Sequence, residues 1–131
     1  MWKRIIKSQK GQALVEFAFI IPLMLILLSG IIEFGRIFGA GLVVAHSARE
    51  GARAGSVGAG DSAIILRVQE SAGVLDPTLL SINITPVQEE RERGAPICVH
   101  VRYPVAVMLP FISAITGETV AVESDSVMRV E

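Results

Sequence analysis

The sequence predicts an α+β chain. A long N-terminal transmembrane helix continues into a small outer domain with a short helix and a three-stranded antiparallel sheet. Three observations carry this expectation. From Gln12 to Ile32 the chain is apolar with a single charge, Glu16. The helical pattern does not stop there but runs on to about Ala54, through Ala45, Ala48, Ala52 and Ala54, all good helix formers. Beyond Gly60, apolar and polar residues alternate in separate short runs, the signature of half-buried strands.

A length of 131 residues allows one domain plus a membrane element. The chain divides into a basic leader over 1–11, a long helix over 12–58 that spans the membrane at about 12–32, and an α+β domain over 59–131. The formal net charge of -1 predicts no nucleic-acid partner. Its distribution says more. Lys3, Arg4, Lys7 and Lys10 stand in the leader with no acid beside them, whereas the rest of the chain is net acidic. A basic flank on one side of a hydrophobic span keeps that side cytoplasmic. The expectation is therefore a single-pass protein of the cytoplasmic (inner) membrane, N-terminus inside and C-terminal domain outside. Cys98 is the one cysteine, so no intramolecular disulfide forms and packing alone must hold the outer domain.

The stretch from Gln12 to Ile32 is as long as a hydrocarbon core of ~30 Å requires at ~1.5 Å per residue. Pro22 lies inside it, which a membrane helix tolerates when neighbours or local adjustment satisfy the freed carbonyl, and a bend is expected near 18–22. A cleaved secretory signal would share the basic flank, but its apolar region is normally ~7–15 residues, shorter than this one. Small residues suited to such a cleavage, near Val43-Val44-Ala45, lie well beyond the run. A plain anchor explains everything except Glu16 and the glycine before it. A carboxylate at membrane depth costs about 2.5–3.5 kcal/mol on insertion scales, so it calls for a function and a partner.

Past the span, Glu33 and Arg36 stand at i,i+3 and can pair near the membrane surface, as interfacial anchors or as contacts to a neighbour. Gly35 with Gly39, and Gly51 with Gly55, have the small-xxx-small spacing that lets helices approach closely; simple tolerance of glycine is the other reading. Arg49 and Arg53, one turn apart, face the same way, toward solvent, lipid headgroups or acidic residues of a neighbouring subunit. His46 alone makes no site. Gly55, Gly58, Gly60 and Asp61 are expected to break the helix, with Asp61 or Ser62 capping a second one over 63–72 whose apolar side is Ile64, Ile65, Leu66 and Val68. Asp76-Pro77 reads as a turn. Leu80, Ile82 and Ile84 mark a first strand, and Glu89 to Gly94 a charged hairpin tip. Ile97, Val99, Val101 and Tyr103 mark a second strand, and Thr119 to Glu131 a third. Val107 to Gly117 is an apolar connection or short helix that packs or touches membrane.

No enzyme chemistry is legible. Cys98 and His100 share a strand face, but a closed zinc site needs four ligands and no CxxC or HxxxH occurs. No phosphate loop, nucleophile elbow or nucleotide fingerprint is present, so no cofactor and no metal are expected. Glu89, Glu90 and Glu92 are accounted for by a solvated turn.

Several motifs in order do point to a family. Gly11-Gln-Ala-Leu-Val-Glu16-Phe17, the apolar run, Ile32-Glu-Phe-Gly-Arg36, Ser47-Ala-Arg-Glu-Gly51-Ala-Arg53-Ala and, more loosely, the end Ser126-Val-Met-Arg-Val-Glu131 resemble the TadE-like family of pilin-like proteins of the tight-adherence (Flp, type IVc) pilus system. The resemblance implies a minor pilin or pseudopilin acting in pilus assembly, adhesion or secretion. It implies cleavage by a prepilin peptidase between Gly11 and Gln12, leaving Glu16 and Phe17 as fifth and sixth residues of the mature chain; pairing of the new amine with the Glu16 carboxylate in one axial register would then make Glu16 a register residue during assembly. The implied partners are the membrane, the prepilin peptidase, other minor pilins, the major pilin and the inner-membrane platform, and assembly could carry the protein into an extracellular pilus. The other reading is an uncleaved single-pass membrane protein whose periplasmic domain binds a partner.

Overall fold

A computed structural model of the chain describes residues 9–131, so the leader, except for its last residues, lies outside the described residues. The first element, α1 (Gln9–Ser56), is a single helix of 48 residues that continues through Pro22. At ~1.5 Å per residue it is roughly 70 Å long. Among the described residues, every large apolar side chain from Leu14 to Leu28 in its first half is exposed. Its second half is the spine of the outer domain.

The elements that follow are α2 (Asp61–Ser71), β1 (Ser81–Thr85), β2 (Pro96–Ala106), α3 (Pro110–Thr116) and β3 (Thr119–Arg129), with 3-10 turns at Pro77–Leu79 and Gln88–Glu90. The strands form one antiparallel sheet in the order β1-β2-β3. Ile82 pairs with Val101 and Val99 with Ser126, so the central strand is held on both sides. Alternation along β2 puts Ile97, Val99, Val101 and Val105 on the face toward α1, all buried. They meet Val44, Ala48 and Ala52 of α1 and Ile64 and Val68 of α2 in one core. The opposite face is polar, with Arg102 across from Glu123 and His100 across from Asp125.

β2 runs back along α1. Ile97 lies at the level of Gly55, and Ala106 at the level of Arg36, whose guanidinium donates to its carbonyl at 3.2 Å. Eleven strand residues at ~3.3 Å and the helix from Glu33 to Gly55 at ~1.5 Å per residue both measure roughly 35 Å, so strand and half-helix match in length.

The expected architecture is therefore the observed one, with local differences. α1 ends at Ser56, within the glycine-rich stretch expected to break it, and Gly55 just before that end is packed against Ile97 and Ile64. The cap of α2 is Gly60, not Asp61 or Ser62. The Asp61 amide donates to the Gln88 side chain at 3.1 Å, and the Asp61 carboxylate is taken by Arg91. Of the four apolar residues of α2, only Ile64 and Val68, one turn apart, are buried; Ile65 and Leu66 are exposed. The charged tip is not a free hairpin. Its Arg91 donates to the carbonyls of Pro86 and Ala59, both at 3.2 Å, and ties the tip to the end of α1. The apolar connection over 107–117 contains α3, ended by Gly117 at φ 88°, a conformation that favours glycine.

Candidate membrane and assembly site

The exposed half of α1 is incompatible with water. About a dozen large apolar side chains, each worth ~1.5–3 kcal/mol on full burial, represent a hydration cost on the order of 20 kcal/mol or more. That exceeds the ~5–15 kcal/mol by which a domain is stable. The surface must be covered by lipid or by other apolar helices. Its mean composition and length are those of a membrane span, and none of its most apolar stretch is buried by the rest of the molecule.

Glu16 stands on this surface one turn from Gln12, whose side-chain amide donates to its carboxylate at 3.2 Å. Phe17 beside it is exposed. Gly11 is exposed and a Cβ there would meet nothing, and the Gly11–Gln12 bond is part of the helix.

At the C-terminal end of the apolar stretch the structure brings Glu33 and Arg36 together. One guanidinium nitrogen lies 3.1 Å from both carboxylate oxygens. Glu33 is only 3% exposed, whereas Arg36 is 35% exposed. The backbone N–H of Met108 donates to the same carboxylate at 3.1 Å. A buried carboxylate is thus matched by a cation and a backbone donor, as burial requires. Sequence spacing identifies the pair but not the third partner, which depends on where the β2–α3 connection returns. A sequence signal for the buried face does exist: Glu33, Ala40, Val44, Ala48 and Ala52 recur at helical spacing along one side.

Arg49 and Arg53 remain on the exposed side of α1. The Arg49 guanidinium bonds the Ala45 carbonyl at 3.1 Å, and Arg53 lines a shallow surface hollow with Glu50 and Arg67. The Arg67–Glu50 bridge at 3.1 Å, which links α2 to α1, was not foreseen from the sequence. Gly51 and Gly55 behave differently from Gly35 and Gly39. A Cβ on Gly51 would lie 2.5 Å from Val68 and 3.2 Å from Val99, whereas Gly35 and Gly39 face open space. The first pair is a close-packing device between α1, α2 and β2, and the second is free.

The order of these residues along one half-exposed helix is what the comparison with families recovers. Residues 11–53 match the family of TadE-like proteins. The match begins at Gly11, takes in Glu16, the apolar span and the Glu33–Arg36 pair, and ends at Arg53. It covers most of α1 and stops before α2 and the sheet. The match to this segment supports a link to the Tad/Flp pilus system in general. No curated protein and no solved structure matches the chain.

Among the described residues, no cluster of three or more His, Cys, Asp or Glu side chains suits a metal ion. Cys98 is half-buried and unpaired, and the His100 Nδ1 lies 2.5 Å from the Asp125 carboxylate.

Proposed function

We propose that the protein is a minor pilin or pseudopilin of a Flp-type pilus, inserted in the inner membrane with its N-terminus inside and cut between Gly11 and Gln12 by a prepilin peptidase. The observation that carries the reading is the division of α1 into a bare apolar half with one carboxylate near its start and a half welded to a folded domain. The bare half suits lipid before assembly and neighbouring pilin helices after it. The outer domain is larger than a major pilin needs, which favours a minor component.

Glycine at the scissile position lowers the cost of opening the first turn so that the backbone can extend into a protease. Cleavage creates an α-amine with an ordinary pKa near ~7.7–8.0, largely cationic at neutral pH. It would lie ~6 Å along the axis from Glu16, which already accepts from the side chain of Gln12. Cyclisation of Gln12 would remove that amine. Pairing of amine and carboxylate within or between chains fixes one axial register and makes Glu16 an assembly residue, with Phe17 packing beside it. Arg49 and Arg53, exposed on the second half of α1, are available to acidic neighbours. Other minor pilins, the major pilin and the inner-membrane platform are the partners this role requires.

The test is the intact mass and N-terminal sequence of the membrane-extracted protein, with and without active prepilin peptidase. A mature chain beginning at Gln12 only when the peptidase is active supports the proposal. A chain retaining Lys3 to Gly11 under both conditions overturns it and leaves an uncleaved single-pass protein with a partner-binding outer domain.

A further inference from the structure

We infer that α3 seats the outer domain on the bilayer surface: Met108, Phe111 and Ile115, beside Phe34 of α1, form an apolar collar that enters the outer interfacial region of the membrane. The inference rests on α1 spanning the bilayer over about residues 12–32.

The first support is position. The β2–α3 connection is fixed to α1 at Glu33 and Arg36, the first residues past the span, through Met108 N–H at 3.1 Å and the Ala106 carbonyl at 3.2 Å. The opposite end of the domain is far from the bilayer, since the Glu131 amide bonds the Ser56 carbonyl. The collar is thus the membrane-proximal pole of the fold.

The second is chemistry. No charged residue occurs from Tyr103 to Gly117. A short helix on a water-exposed surface normally turns charged residues outward. Here the large outward side chains are Phe111, Ile115, which is 87% exposed, and Met108 just before the helix, with Pro110, Ala114 and Thr116 exposed between them. Ile112 meanwhile shares an apolar cleft with Phe34 and Ile37 of α1.

The third is continuity. From Phe17 to Ile32 the surface of α1 carries no charge, and Phe34 carries it on to α3. The collar extends a surface that lipid already covers, and aromatic and apolar groups at this level are typical membrane-interface anchors. The Glu33–Arg36 pair holds the connection at a fixed depth.

The test uses the full chain in a Cys98→Ser background, reconstituted in phosphatidylcholine–phosphatidylglycerol vesicles. Single spin labels are placed at Leu25→Cys, Ile115→Cys and Val57→Cys. Collision with lipid-soluble oxygen is compared with collision with a water-soluble nickel chelate. Leu25 should favour oxygen, Val57 at the distal pole should favour nickel, and Ile115 should show an oxygen-to-nickel ratio several-fold above that of Val57. Adding Phe111→Asp should lower the Ile115 ratio while leaving Leu25 unchanged. A nickel-accessible Ile115 with an oxygen-favouring Leu25 overturns the collar and spares the span. Shielding of Ile115 from both reagents overturns it in favour of a second copy of the chain. A nickel-accessible Leu25 overturns the span itself.

Discussion

At the scale of single residues, Glu33 does the most structural work for one side chain. Its carboxylate accepts from Arg36 and from the Met108 amide while almost wholly buried. Glu33→Ala leaves that amide without an acceptor and Arg36 without its partner, and should cost about 1–3 kcal/mol of outer-domain stability. Glu33→Gln keeps an acceptor for Met108 and should cost less. Denaturant unfolding together with hydrogen exchange at the Met108 amide checks the order, and equal losses in both variants would contradict it. Asp76 offers a pH test away from the membrane. The Thr78 hydroxyl, and then the Thr78 backbone N–H, hold its carboxyl below the ordinary value. Because the folded value is lowered, the stabilisation is complete above the unfolded carboxylate value of ~3.9 and is lost as pH falls through the lower folded one. The Thr78 amide resonance should follow that low transition in an NMR titration, and Asp76→Asn should abolish it.

At the scale of elements, the contact between α1 and α2 is set by what α1 lacks. Gly51 lets Val68 sit where a Cβ would be, and valine is too stiff at χ1 to withdraw. Gly51→Ala should destabilise the domain by about 1–3 kcal/mol through overpacking. Gly55→Ala meets mainly the mobile end of Ile97 and should cost less. Gly39→Ala meets nothing and should gain up to ~1 kcal/mol from helix propensity. Urea midpoints of the three variants rank them, and a Gly51 variant as stable as the parent would contradict the close-packing reading. The sequence alone left both glycine pairs open, because spacing reports which glycines share a face but not what packs on it. The strands were readable because alternation over Leu80–Ile84 and Ile97–Tyr103 is a local signal. The cap of α2 was not, since Gln88 reaches it from 27 residues away. Nor was the third partner of Glu33, supplied from 75 residues away. For the membrane-facing site, by contrast, Gly11, Glu16 and the apolar run form one continuous stretch, so order alone was informative.

At the scale of the whole molecule, α1 belongs to two environments at once. Its outer half supplies Val44, Ala48 and Ala52 to the core of the domain. The part after residue 58 is therefore not a complete fold, as is usual for a segment of this size without a staple. A fragment of residues 33–131 should fold cooperatively in water, whereas residues 59–131 should not. Circular dichroism with thermal melting of the two fragments decides this, and a cooperative transition in the shorter one would contradict it.

The parallel course of α1 along β2 and β3 also has a mechanical consequence. Tension applied to the lipid-facing end of the helix, as when a subunit is drawn from the bilayer, acts along the length of that shared flank. The contacts are loaded in shear and resist together; they are not unzipped one after another. A single continuous helix thus couples the hydrophobic handle to the folded head.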